Sequence, residues 1–181
     1  VQGGPGTPTT RPVPVTGASA PAGIAVGDVD GDGFDDVVLA VRDSDTFYVW
    51  RPAGTLSEGM DSVVGTDVQG TAVAVGDFLD TGVDDVLLGS PLRSRTYLYG
   101  GNPGDTPAFS SLVAGGIDTE SGFSVSLLAV GGGANQVLIG APDLGGNEAV
   151  VQRRHMGGLL QTYTAAITDI GFGWSIGRGL R

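Results

Sequence analysis

The sequence predicts an all-β chain of repeated antiparallel units, and three observations carry that prediction. Short Val/Leu/Ile/Tyr runs are punctuated by 33 glycines and ten prolines, the pattern of many short strands joined by tight turns. An aspartate-rich loop at 28–36 recurs in reduced form at 77–85, 49 positions on. The flanking strands recur with it: Ile24-Ala25-Val26-Gly27-Asp28 matches Val73-Ala74-Val75-Gly76-Asp77, and Asp36-Val37-Val38-Leu39 matches Asp85-Val86-Leu87-Leu88. A period of this size marks an architecture stacked from like supersecondary units.

Each unit reads as four strands, near 22–28, 36–41, 46–51 and 60–65 in the first and near 70–76, 85–90, 95–100 and 108–113 in the second. The second strand, Val37-Val38-Leu39-Ala40-Val41, is continuously apolar, as a strand buried on both faces must be. Along the third strands the aromatics Phe47, Tyr48, Trp50, Tyr97 and Tyr99 read as packing rather than as a sugar platform. A third unit follows as Leu128-Ala129-Val130-Gly131 and Val137-Leu138-Ile139-Gly140-Ala141-Pro142, with a shorter loop at 132–136 that holds no acid. A fourth opens at Gly171-Phe172-Gly173-Trp174-Ser175, matching Gly122-Phe123-Ser124-Val125-Ser126, while Val1–Gly6 resembles Leu98–Gly104. The expected division is therefore 1–21 as the end of a preceding unit, 22–69 with the intact loop, 70–119 with the reduced loop, 120–170 without it, and 171–181 as the first strand of a further unit. Four antiparallel strands about every 50 residues describe a β-propeller blade. The chain reads as about three full blades with partial blades at both ends.

At 181 residues with 40% apolar side chains the chain can bury a core and belongs with globular rather than disordered sequences. Its net charge of −11 and complete lack of lysine argue against a nucleic-acid partner, which demands a basic surface. Nine of its aspartates lie in the two loops, so the acidity is concentrated where a cation would neutralise it. The absence of cysteine fits a cytosolic chain or a secreted one stabilised by ions. No stretch approaches the roughly 18 apolar residues of a membrane span, and Val1-Gln2-Gly3-Gly4 is no signal peptide, so the start reads as a processed or cut end.

The loop itself, Asp28-Val29-Asp30-Gly31-Asp32-Gly33-Phe34-Asp35-Asp36, carries the chemistry. Aspartates at positions 1, 3, 5 and 9 can wrap one hard cation in oxygen, glycine at position 6 permits the sharp turn, and position 7 offers a carbonyl. A helix-loop-helix calcium motif begins the same way but requires a glutamate at position 12, where this chain has Leu39, and flanking helices rather than β-branched runs.

With its strand, Asp-rich loop and strand, its Gly140-Ala141-Pro142, and its Gly122-Phe123 and Phe172-Gly173 openings, the chain resembles the FG-GAP repeats of integrin α-subunit β-propellers from about Ala22 to Gly177. The resemblance implies a calcium ion held by the side chains of Asp28, Asp30, Asp32 and Asp36 and the carbonyl of Phe34. The alternative for these four acids is a solvated turn, in which their charges repel. In the second loop Leu79 stands at position 3 and Thr81 at position 5. Asp77, Thr81, Asp85 and the Val83 carbonyl remain, a weaker calcium site or none, with Asp80 and Asp84 turned to solvent.

No catalytic set assembles. His155, the sole histidine, is expected in a surface loop beside Arg153 and Arg154, and there is no Gly-x-Ser-x-Gly, so no enzymatic activity is expected within the chain. The resemblance implies a calcium-stabilised propeller of an extracellular or cell-surface protein that binds a protein partner in adhesion. Two alternatives stand beside it: a lectin-like propeller binding a surface glycan, and a non-catalytic domain of a larger secreted enzyme. About 15 strands do not close a ring neatly, so the rest of a larger propeller, or another chain, is the expected neighbour.

Overall fold

The structure, a computed structural model, describes residues 21–42, 46–52, 58–64, 70–105, 107–115, 123–128, 135–141, 149–155 and 158–165. Among them twelve strands form three four-stranded antiparallel sheets, each a simple meander in chain order. The first comprises β1 (Pro21–Gly27), β2 (Asp36–Val41), β3 (Thr46–Pro52) and β4 (Glu58–Val64). The second comprises β5 (Ala72–Gly76), β6 (Asp85–Ser90), β7 (Arg95–Gly100) and β8 (Ala108–Gly115), and the third β9 (Ser124–Leu128), β10 (Gln136–Ala141), β11 (Ala149–His155) and β12 (Gly158–Ala165). The sheets stack through their first strands, β1 against β5 and β5 against β9. This is the arrangement of successive propeller-like blades. No helix among the described residues is long and apolar enough to cross a membrane. Of the expected partial units at 1–21 and 171–181, all but Pro21 lies outside the described residues.

The middle sheet shows why its second strand is apolar over Val86–Leu88. Successive side chains of a strand point to opposite faces, and here both faces are cores. Val86 and Leu88, with Val73, Val75, Tyr97 and Tyr99, pack on Val29, Val38, Ala40, Phe47 and Val49 of the first unit. Leu87 and Leu98 face the other way, onto Phe78 and onto Val125, Val137 and Ile139 of the third. Every residue of β6 is buried. Phe47 and Tyr99 meet edge to face, ring centroids 4.9 Å apart, a geometry that adds about 0.5–1.5 kcal/mol to the area they bury.

One face of the first sheet carries what the second sheet packs against a neighbour. Ile24, Val26, Val37, Leu39, Tyr48 and Trp50 stand 49 positions before Val73, Val75, Val86, Leu88, Tyr97 and Tyr99. Cross-strand register sets Ile24 opposite Leu39 and Val26 opposite Val37, then Leu39 opposite Tyr48 and Val37 opposite Trp50, so all six share one face. In the middle sheet the same six positions pack against the preceding sheet. In the first sheet Ile24 and Val26 are 67% and 54% exposed.

Two expectations for the third unit are corrected. Its first strand is Ser124–Leu128 and ends where the expected Leu128–Gly131 strand begins. Val125 pairs with Ile139 and Leu127 with Val137, as Val73 pairs with Leu88 and Val75 with Val86. Core burial of Val125 and Leu127 thus selects the register over the more obvious Leu-Ala-Val-Gly match. His155 is not in a loop: it ends β11, half-buried, with its ring 6.5 Å from that of Phe78.

Candidate metal centre

The loop between β1 and β2 folds back on its own carboxylates. Gly31 and Gly33 take φ of +72° and +88°, which residues with a Cβ adopt only at a cost. Those turns aim backbone N–H groups inward. Asp28 accepts from Asp32 N at 3.1 Å and from Gly33 N at 2.9 Å, one on each carboxylate oxygen. Asp30 Oδ1 accepts from Asp32 N at 3.2 Å, Asp36 Oδ2 from Val29 N at 3.2 Å, and Asp32 Oδ1 from Phe34 N at 2.8 Å.

The result brings together three of the four predicted carboxylates. Ligand oxygens of Asp28, Asp30 and Asp36 all lie within 4.8 Å of one another. Calcium holds its oxygens at about 2.3–2.6 Å, so opposite ligands of one ion are about 4.6–5.2 Å apart. The trio therefore fits a single calcium sphere. The Asp32 carboxylate is exposed and outside this group of three. Asp30 and Asp36 are 7% and 1% exposed. Burial, reinforced by the charge of Asp30, pushes the Asp36 carboxyl up to about 7, against the Val29 N–H and the Arg51 guanidinium, which pull it down. Two buried carboxylates held this close are an arrangement whose charge a cation would neutralise.

Arg51, at the end of β3, is the residue that sequence reasoning missed. Its Nε lies 3.1 Å from Asp30 Oδ2. Nothing in the nine-residue motif points to it, because the pairing of β2 with β3, Val37 opposite Trp50, is what brings position 51 beside the loop.

The second loop keeps the skeleton and loses the trio. Asp77 accepts from Thr81 N at 2.8 Å and Gly82 N at 2.9 Å, repeating the bonds of Asp28 49 positions on. Gly82, with φ of +82°, repeats Gly33. Asp85 is fully buried and accepts from Leu79 N at 2.7 Å and Gly101 N at 2.9 Å. Burial raises its carboxyl above the ordinary range, opposed by N–H groups of Gly101, Leu79 and Phe78. The Thr81 hydroxyl donates to the Val83 carbonyl at 3.3 Å, so these two predicted ligands meet each other. Leu79, in the place of Asp30, packs against the second core. The aspartates at positions 1 and 9 therefore do structural work in both loops, capping backbone donors, and only the first loop adds a third carboxylate to them.

Asp84, expected in solvent, closes the first loop from the neighbouring unit. Its N–H donates to the Asp28 carbonyl at 2.9 Å and its carboxylate accepts from Asp28 N at 3.1 Å. Burial raises the Asp84 carboxyl, the Asp28 N–H opposes this, and the charges of Asp77, Asp28 and Asp35 add to it. Asn102 N bonds the Val29 carbonyl at 3.1 Å and Gly104 N the Asp30 carbonyl at 2.7 Å. The third unit repeats the move: the Asn135 side chain donates to the Asp77 carbonyl. Asp80 is exposed as expected, and residues 132–134 of the acid-free third loop lie outside the described residues.

The family model of the FG-GAP-like repeat matches residues 28–88, from the first residue of the aspartate loop into β6. The match thus takes in both aspartate loops and ends early in the second unit. No curated protein matches the chain.

Proposed function

We propose that this chain, whose residues 28–88 are an FG-GAP-like repeat, is a calcium-stabilised portion of an extracellular β-propeller that binds another protein in adhesion. The observation that carries the reading is the convergence of Asp28, Asp30 and Asp36 within 4.8 Å. On calcium binding, the carboxylates lose their mutual repulsion and the loop gains a rigid centre. Asp28 and Asp30 are also the residues whose carbonyls bond the second unit, so ordering this loop stiffens the junction between units and the rim it belongs to. Extracellular modules hold calcium at about 10⁻⁴–10⁻³ M, which suits millimolar surroundings and favours a place outside the cell. The second loop, with two carboxylates in Asp77 and Asp85, is assigned weak binding or none.

The six-residue face of the first sheet supports a larger ring. Its counterpart in the middle sheet is covered by a blade, and Ile24 and Val26 carry the same apolar character at 67% and 54% exposure. A further blade covers it in the complete propeller, from the same polypeptide or another. The chain's own role is binding, and any catalysis belongs elsewhere in the assembly.

Isothermal titration with calcium chloride tests the metal, and binding to an extracellular-protein array in calcium against chelator tests the adhesive role. Calcium-dependent capture of a protein supports the reading, and binding that is indifferent to chelator removes it.

A further inference from the structure

Two repeat positions change together between the first and second units. In the first unit, loop position 3 is Asp30 and the end of β3 carries Arg51, with Arg51 Nε 3.1 Å from Asp30 Oδ2. Forty-nine residues on, the same positions are Leu79 and Gly100. They are neighbours there too: a Cβ placed on Gly100 would lie 3.2 Å from Leu79 Cδ1 and 3.8 Å from Asp85 Oδ1. A charged pair in the loop with three converging carboxylates is replaced by an apolar contact in the loop with two.

From this covariation and contact we infer that Arg51 is a built-in competitor of the cation, a positioning residue that occupies Asp30 when the loop is empty and weakens calcium binding when it is not. The inference rests on the calcium reading of the first loop. Asp30 has two oxygens to give. Oδ1 already accepts the Asp32 N–H, and Oδ2 faces Arg51, so an arriving ion must share or displace the guanidinium to use the outer oxygen. The side chains of Asp30 and Arg51 are both largely buried, at 9% and 20% exposure, and a positive charge there acts on a divalent ion through little screening. The benefit is a loop that stays closed without metal. Its Asp28–Asp84 and Asp30–Gly104 junction bonds can persist while the site is empty, and affinity is set low enough for calcium to leave.

The test is calcium titration by calorimetry, with thermal melts in chelator, on the wild-type chain and the variants Arg51→Gln, Arg51→Met and Arg51→Lys. Removing one charge beside a divalent ion is expected to tighten binding about tenfold or more in the Gln and Met variants, while their metal-free melting temperature falls. Arg51→Lys, which keeps the charge, is expected to hold near wild-type affinity. A Gln or Met variant that folds only in calcium also supports the inference. Wild-type binding with unchanged or weaker binding in both neutral variants overturns it while leaving the calcium reading intact, and so does equal tightening in the Lys variant. Absence of binding in every chain overturns the calcium reading and this inference together.

Discussion

Asp84 gives the sharpest structural prediction, because two substitutions there separate its hydrogen bond from its charge. Asp84→Ala deletes the acceptor of the Asp28 N–H, a bond of 3.1 Å across the unit boundary. Leaving a part-buried donor unsatisfied costs about 1–3 kcal/mol. Part of that is returned, because burial and the charges of Asp77, Asp28 and Asp35 already disfavour the ionised carboxylate. A net loss of about 1–2 kcal/mol is expected, which for a domain of this size lowers Tm by about 2–8 °C. Asp84→Asn keeps an acceptor oxygen and discards the charge, so its Tm should equal or exceed that of the wild type. Both are read by calorimetric melts at pH 7 in chelator, where metal does not intervene. If Asp84→Asn is as destabilising as Asp84→Ala, or if neither moves Tm, the inter-unit clamp does not operate as described.

Other predictions follow from the cores and the titrating groups. Leu98→Ala empties a side chain that is 1% exposed in the second core, and should cost about 2–5 kcal/mol in thermal or urea unfolding. Val75→Asp and Val26→Asp occupy equivalent positions on β5 and β1. The first places a charge against the packed first core and should destabilise the chain by about 2 kcal/mol or more, whereas the second, at a residue 54% exposed, should leave its Tm within a few degrees. In chelator the melting temperature should fall as pH rises from about 4 to about 7, because folded Asp36 holds its proton up to about 7 while the unfolded residue releases it near 3.8, so the folded state binds more protons across that window. Calcium should flatten this slope, and a metal-free Tm that climbs over the same range would contradict the burial of that carboxylate.

The strands were legible because period and composition acted together. The apolar run 86–88 reads as doubly buried, and Val86, Leu88 and Leu87 do serve two cores; the 49-residue offset carries the assignment from one unit to the next. The third unit resisted because its loop lacks the aspartates that anchor the alignment. The Leu-Ala-Val-Gly match sets the strand too late, and the pairing of Val125 with Ile139 places it on the Ser124-Val125-Ser126 stretch. In the first loop, Asp28, Asp30 and Asp36 are readable from spacing, since their geometry is local. Arg51 and Asp84 were not, because their contacts depend on strand pairing and on the packing of one sheet against the next. Asp84 sits at loop position 8, which the family resemblance turns toward water. The repeat itself held an unused signal for Arg51, in the joint change from Asp30 and Arg51 to Leu79 and Gly100.

The central claim is that calcium in the first loop stabilises this fold, and a thermal melt of the wild-type chain in about 10 mM calcium chloride against chelator tests it most directly. An affinity of about 10⁻⁴–10⁻³ M makes that concentration about 10–100 times the dissociation constant, a stabilisation of about 1.4–2.7 kcal/mol and a rise in Tm of about 3–11 °C. The account predicts that rise, and its loss in Asp30→Ala. Superimposable melts of the wild type in calcium and in chelator would contradict it.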